Sequence, residues 1–431
     1  MAIDPQQRFA ERHIMKHEEH APPATGSVPT QAWTRNVIRF LGGQTISLFG
    51  SALVQYAIVW YITLTTKSGV MITLSTLFGF LPQILVSLPA GVWADRYRRK
   101  WLIAGADALT AITTLVLAFL FFSGKGSIGA ILVASALRSL GAGIQMPAVT
   151  ATLPQLVPAD RLMKVNGING AVQSITFLLA PAISGAMMTI WPLESIFFVD
   201  VVTAALAIAI IIMLPLPPHA REGAATTGQL RDLREGLRYL WQHAFLKNLI
   251  GYYFVIMFLV VPAAFLTPLM VTRSFGPEIW KLTVNEIAFS AGTTLGGFLM
   301  AAWGGFKNRI HTIAYACMVF GALILMQGLV PFFWLYLAVL FLIGVSLPSY
   351  NIASMTLLQE QVENTFQGRV FSFVQIGSSA AMPLGMVLFG PLADQVRIET
   401  LLLVTGGLLL LTGAVMMLDR KMRCAEGGCE T

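Results

Sequence analysis

Twelve stretches of 20 to 28 mainly apolar residues follow one another along this chain, closed by polar or charged breaks except at 329–331, where a Leu-Val-Pro turn divides two of them. They cover 37–64, 70–94, 101–122, 128–153, 166–190, 195–214, 248–271, 282–303, 311–330, 332–356, 366–390 and 399–418. A bilayer core of about 30 Å takes about 20 such residues per helix. Inside it, only helices or closed barrels leave no backbone group unpaired. The pattern therefore predicts an all-α membrane protein with twelve transmembrane helices. Of the 431 residues only 11% are charged and 56% are hydrophobic, too little charge to cover a water-soluble body of this size.

The placement of base sets the expected topology. Of 28 Lys and Arg, 22 fall on one set of connecting segments with both tails, five fall on the other set (Lys67, Lys125, Arg273, Lys281 and Arg397), and Arg138 falls within a run. Basic residues accumulate on the cytoplasmic side, so both termini are expected in the cytoplasm. The net charge of +7 reports orientation in a lipid bilayer and implies no nucleic-acid partner. Cys317, Cys424 and Cys429 give no disulfide framework.

Residues 1–35 are polar, contain Pro22, Pro23 and Pro29, and predict a disordered cytoplasmic tail; 420–431 form a second one. Between them lie two six-helix bundles, 36–214 and 248–419. The linker 215–247 carries Leu230, Leu233, Leu237, Leu240 and Trp241 at helical spacing, the pattern of an amphipathic helix on the membrane face. The bundles repeat. "GIQMP" at 143–147 answers "GVSLP" at 344–348, and "VQSITFLLAP" at 172–181 answers "VQIGSSAAMP" at 374–383, at offsets of 201 and 202. Parallel repeats of this kind build transporters with a site at the midplane between halves.

Polar residues inside the runs mark candidate wet surfaces. Gln44, Ser47, Ser51 and Gln55 share a face of the first run, and Asn166, Asn169, Gln173 and Thr176 a face of the fifth. The first stripe is expected to line a cavity, and the fifth serves either as cavity lining or as interhelical glue. Arg138 lies ten residues into the fourth run, where a charge costs about 2.5 kcal/mol or more, with Gln145 two turns on. It is either pinned to a neighbouring carboxylate or carries charge for substrate, proton or gate. Asp107, Asp200 and Glu286 are the acids within reach of such depth and are the candidate proton carriers, Glu286 preferred, with Asp200 favoured as a structural partner. No P-loop occurs and no His/Asp/Glu constellation shares a depth, so no enzyme, metal site or cofactor is expected. "HIMKHEEH" sits in the polar tail and is not read as a metal site.

"GVWADRYRRK", 91–100, stands where the second run ends. A glycine, three residues, Asp-Arg, then Arg-Lys between the second and third of twelve helices resembles the signature of the major facilitator superfamily. Gly91, Asp95, Arg96, Arg99 and Lys100 match it, and Arg98 replaces a second glycine. Arg138 resembles the family's fourth-helix arginine, and "APAISG" a degenerate form of its antiporter motif. "GGQTISLFGSALVQYAIVWYIT", "GRVFSF" and "EIAFSAG" resemble the branch containing bacterial macrolide-efflux proteins and the enterobactin exporter. The resemblance implies that Asp95 and the basic loop latch the halves through the start of the eleventh helix. It also implies that the first, fourth, seventh and tenth helices line a cavity, with Gln44, Gln55, Arg138, Gln145, Tyr252, Tyr253, Phe258, Tyr350 and Asn351 as candidate contacts.

The expected function is secondary export of amphipathic, drug-like small molecules from a bacterial cytoplasmic membrane, by alternating access and proton antiport, in a monomer. Lipid or lysolipid flipping and siderophore export are alternatives on the same fold. A receptor or channel is the alternative of a different class.

Overall fold

The computed structural model describes residues 30–215, 237–306, 308–419 and 422. Residues 1–29, 420–431 apart from Met422 (with Cys424 and Cys429), and most of the linker including Leu230 and Leu233 lie outside them, whereas 30–35, expected to be disordered, are helical and extend the first run toward the N-terminus.

Among the described residues, twelve long helices follow in order, each within a few residues of its predicted run at most ends. They are α1 Thr30–Thr66, α2 Gly69–Arg96, α3 Arg99–Phe122, α4 Ile128–Leu156, α5 Leu162–Ile190, α6 Leu193–Met213, α7 Ala244–Phe265, α8 Ile279–Trp303, α9 Arg309–Leu329, α10 Phe333–Gln361, α11 Asn364–Gln395 and α12 Ile398–Leu418. A short turn, Thr267–Met270, and a π-helical segment, Val271–Phe275, extend α7. Among the described residues eleven spans are long and apolar enough to cross a membrane; α8, which carries Lys281, Asn285 and Glu286, is not among them.

Local chemistry sets the helix ends. Ser127 caps α4 by accepting from Ala130 N at 3.2 Å, and Asn308 caps α9 by accepting from His311 N at 3.0 Å. Gly304 ends α8 at φ +73°, a conformation open to glycine at no steric cost. α1, α2, α4, α5, α10 and α11 run to 28 residues or more, so their ends project beyond a bilayer core or the helices tilt.

The packing is duplicated. α1 packs on α5 and α6, α2 on α4, and α3 on α4 and α6; six helices later α7 packs on α11 and α12, α8 on α10, and α9 on α10 and α12. Among the described residues two pairs of long helices cross between the halves, α2 with α11 and α5 with α8, each the other's image under the same shift, and the Thr267–Met270 turn also touches α1. The chain is thus two pseudo-symmetric six-helix bundles.

The hydrogen bonds that join the halves among the described residues gather at the end bearing the 67–68 and 396–397 turns. Thr73 Oγ1 of α2 donates to Met386 O of α11 at 3.0 Å. Trp60, Ile72, Leu266 and Met270 bury there in one apolar cluster drawn from both halves. Of the linker helix only 237–242 is described. Leu240 is buried and Trp241 exposed, while Tyr239 stacks on Phe366 at 4.3 Å. That helix therefore presses an unpredicted tyrosine against the start of α11.

Candidate functional site

The first half encloses two polar layers. In one, Arg138 of α4 donates through Nη1 to Asp200 Oδ2 of α6 and to Thr114 Oγ1 of α3, and through Nη2 to Ser51 O of α1 at 3.3 Å. Ser51 Oγ donates to Asp200 Oδ1 at 3.2 Å and Thr114 Oγ1 to Asp200 Oδ2 at 3.0 Å. Four helices meet at one ion pair. Arg138 retains 8% exposure and Asp200 none.

In the second layer Asp107 of α3 accepts at Oδ1 from Ser47 Oγ of α1 at 2.7 Å and from Gln145 Nε2 of α4 at 2.8 Å. Gln145 Nε2 also faces Gln44 Oε1 at 3.3 Å. Asp107 Oδ2 is buried and has no hydrogen-bond partner. α1, α3 and α4 each repeat their contribution at a seven-residue step, 44 and 51, 107 and 114, 138 and 145, while α6 gives Asp200 to the first layer alone. Seven residues are about two turns, so the layers lie roughly 10 Å apart along the helices. Gln44, Ser47 and Ser51, one face of α1, are the seam common to both. Gln55, the next member of that stripe, is exposed.

Of the three candidate acids, only Asp200 meets Arg138. Asp107 does not, and Glu286 stands in the other half. Glu286 of α8 is half-buried beside Asn285, which is buried and accepts from Tyr336 Oη at 3.0 Å. Gln327 of α9, fully buried near that tyrosine, makes no hydrogen bond of normal geometry.

The aromatic candidates spread apart. Tyr252 donates to Asp419 Oδ2 at 3.2 Å, at the end of α12, so it is drawn to that helix terminus. Tyr253 and Tyr350 are buried and stack at 6.0 Å, and Ser378 Oγ donates to Tyr253 Oη at 3.1 Å. The two rings line a narrow crevice inside the second half with Ile256 and Ser354. Neighbours on a helix point about 100° apart, which sends Tyr252 and Tyr253 to different surroundings. Phe258 packs on Phe389 at 5.3 Å, and Asn351 is half-buried.

The basic loop braces the first half. Arg99 Nε donates to Ala94 O at 2.9 Å, and its Nη1 reaches Ala151 O of α4. Lys100 Nζ donates to Leu214 O at 3.0 Å, at the negative end of the α6 dipole. Arg96 is exposed, and the side chain of Asp95 lies outside the described residues.

The sequence reading passes over Thr114 and Asp394. The signal for Thr114 is its seven-residue step from Asp107. Asp394 accepts from the first turn of α2 and from Arg273 Nη2 at 2.7 Å, at the closed end.

A duplicated bundle of membrane-spanning helices, with polar layers inside one half and an end shut between halves, is the build of a membrane transporter. The chain matches the Major Facilitator Superfamily over residues 40–386, and it belongs to that family. Macrolide efflux protein A of Streptococcus pyogenes is 29% identical over 394 residues, 91% of this chain and 97% of that protein. Multidrug efflux pump Tap of Mycolicibacterium fortuitum is 26% identical over 87% of this chain and 93% of that protein. Among solved structures, a bacterial homolog of the human lysosomal transporter Spinster, inward-facing and unoccupied, matches with TM-score 0.69 at 15% identity over 94% of this chain and 100% of the other. A bacterial homologue of the iron transporter ferroportin in an inward-facing state gives 0.66 at 14% identity, covering 89% of this chain and 98% of the other. At such identities the solved structures bear on fold alone.

Proposed function

We propose that this transporter exports amphipathic small molecules from a bacterial cytoplasmic membrane by alternating access, in exchange for protons, with both termini in the cytoplasm. The observation that carries the reading is a charge imbalance. Arg138 is answered by Asp200. Asp107 and Glu286 have no basic partner among the described residues, yet each stands within a membrane helix. An uncompensated carboxylate in hydrocarbon is costly, and the inexpensive remedy is a proton taken from one side and given up to the other.

Arg138, on this reading, is the counter-ion of Asp200 rather than a contact for cargo. Closure at one end supports alternating access, because a carrier must shut one face before opening the other. The efflux relatives support export and an amphipathic cargo, and the distribution of base supports the orientation.

The test is transport in everted vesicles against a compound panel, with and without an uncoupler. Uncoupler-sensitive export is expected, with Glu286→Gln abolishing that sensitivity or the export itself. If Glu286→Gln leaves uncoupler-sensitive export intact, Glu286 is not the coupling residue. If no compound moves in wild type while its pH gradient is sound, the export reading fails.

A further inference from the structure

α11 ends as α2 ends. α2 closes on GVWADR, Gly91 to Arg96, and α11 on GPLADQ, Gly390 to Gln395. In both, a glycine is followed by three residues and then by an aspartate, the penultimate residue of its helix. The two helices are a pair that packs across the midline. They run in opposite directions, so the C-terminal end of α11 lies beside the first turn of α2.

There the motif is engaged. Asp394 accepts from Gly69 N at 2.7 Å, Val70 N at 3.0 Å and Ser68 Oγ at 2.7 Å. The first N–H groups of a helix have no partner within it, and the dipole favours a carboxylate beside them. Arg273 completes the clamp, with Nη2 at 2.7 Å from Asp394 Oδ1 and at 2.6 Å from Lys67 O. Gly390 lets the helices touch: a Cβ there would stand 1.6 Å from Thr73 Oγ1 and 2.8 Å from Gly69 O. Only glycine fits while this end is shut.

At the other end the same glycine is disengaged. A Cβ on Gly91 would meet nothing within 4 Å. The engaged contact is also separable. Ser68 Oγ accepts from Met71 N at 3.4 Å, so α2 keeps a resident cap when the aspartate of the other half withdraws. A contact serving only to finish a helix has no need of the opposite half.

We propose that GPLADQ is a second latch, the counterpart of GVWADR: Gly390 and Asp394, with Arg273, hold the 67–68 end shut, and they release when that end opens. The two latches then engage in alternation. The inference rests on the alternating-access reading and adds the residues that hold one of its states.

The test is electron–electron double resonance on the full chain in lipid nanodiscs. Spin labels at Lys125→Cys and Arg397→Cys, in a background lacking the native cysteines, report the separation of the halves at the 67–68 end. Hydrogen bonds to a charged group are worth enough that losing them shifts such an equilibrium about tenfold. Asp394→Asn and Gly390→Ala are each expected to raise the long-distance population by about that factor. Asp394→Glu should keep the wild-type distribution more nearly than Asp394→Asn does. Gly91→Ala is expected to shift it the opposite way, a sign that general destabilisation does not produce. Unchanged distributions in Asp394→Asn and Gly390→Ala, with export intact, overturn the latch and leave the transport reading standing. A single population in wild type at every pH and with every cargo, together with no export, overturns the transport reading itself.

Discussion

Removing the acid of the buried ion pair should harm the protein more than removing the base. Asp200→Asn leaves the Arg138 guanidinium without its counter-charge in a pocket where 8% of it is exposed, held only by neutral acceptors: Thr114 Oγ1, Ser51 O and the amide oxygen that replaces the carboxylate. A guanidinium does not shed its proton in proteins. Breaking a buried pair in this way costs about 3–5 kcal/mol. Arg138→Gln leaves a buried carboxyl instead, and a carboxyl escapes its charge by protonation. That variant loses hydrogen bonds from Arg138 to three groups but keeps those from Ser51 and Thr114 to Asp200, so its cost should be about 1–3 kcal/mol. The double variant carries no charge at the site. Its loss should fall short of the sum of the singles by about 2 kcal/mol, within the range of directly contacting pairs.

Unfolding equilibria of the purified chain, titrated with denaturing detergent in mixed micelles, give the four corners of this cycle. Export by the same variants supplies the second readout. If the pair is structural, the double variant exports whenever it is folded. If it is folded and silent, the guanidinium acts on cargo or coupling. Additive single losses, each within about 0.5 kcal/mol of wild type, refute the reasoning, because such additivity marks independent sites.

Asp107→Asn should leave stability near wild type, since an amide oxygen still accepts from Ser47 and Gln145 and a buried charge is removed; export driven by a pH gradient should fall if this carboxyl carries a proton, and flux assays with and without the gradient decide. Lys100→Met should cost about 0.3–1 kcal/mol, the value of a cation at a helix C-terminus, read from the same detergent titration, because it removes the ammonium from Leu214 O.

Helix number, helix order and duplication were legible because each follows from a local quantity, namely the length of an apolar run or a repeated string. The membrane strengthens that link, since a spanning segment has to satisfy its own backbone. Pairings between helices were less legible. Arg138 had three acids to choose from; the sequence favoured Asp200 as the structural partner, and three-dimensional packing makes that pair and gives Asp107 to Gln145. The tyrosines were harder still. Nothing at residues 252 and 253 tells which ring meets Asp419 and which stacks on Tyr350. Asp394 was legible in principle, as GPLADQ repeats GVWADR, but it answers α2 against α11 rather than helices six apart. A search for images under the six-helix shift passes over it.

The duplication also bears on why the ion pair exists. At the 201-residue offset of the α4 and α10 motifs, Arg138 corresponds to Val339. α6 and α12 are both 21 residues long, and aligned from their first residues they set Asp200 against Thr405. Val339 and Thr405 are buried, and Thr405 Oγ1 returns its hydrogen to Leu401 O at 2.8 Å. The second half therefore builds the same helical frame with a valine and a self-satisfied threonine at those places. The frame does not require an ion pair, and buried pairs are often no more stable than the apolar groups that replace them. What the first half gains is an obligation. Four helices must stay in register around Arg138 and Asp200, or a bare charge is left in hydrocarbon. On the alternating-access reading, such an obligation keeps the first half moving as one body while its contacts with the second are exchanged. The double change to Val339-like and Thr405-like residues, Arg138→Val with Asp200→Thr, should then fold and insert. Its two halves should still separate and close, but the first half should exchange its amide hydrogens faster in α1, α3, α4 and α6 than wild type does. Unaltered exchange in those helices would remove the mechanical role assigned to the pair.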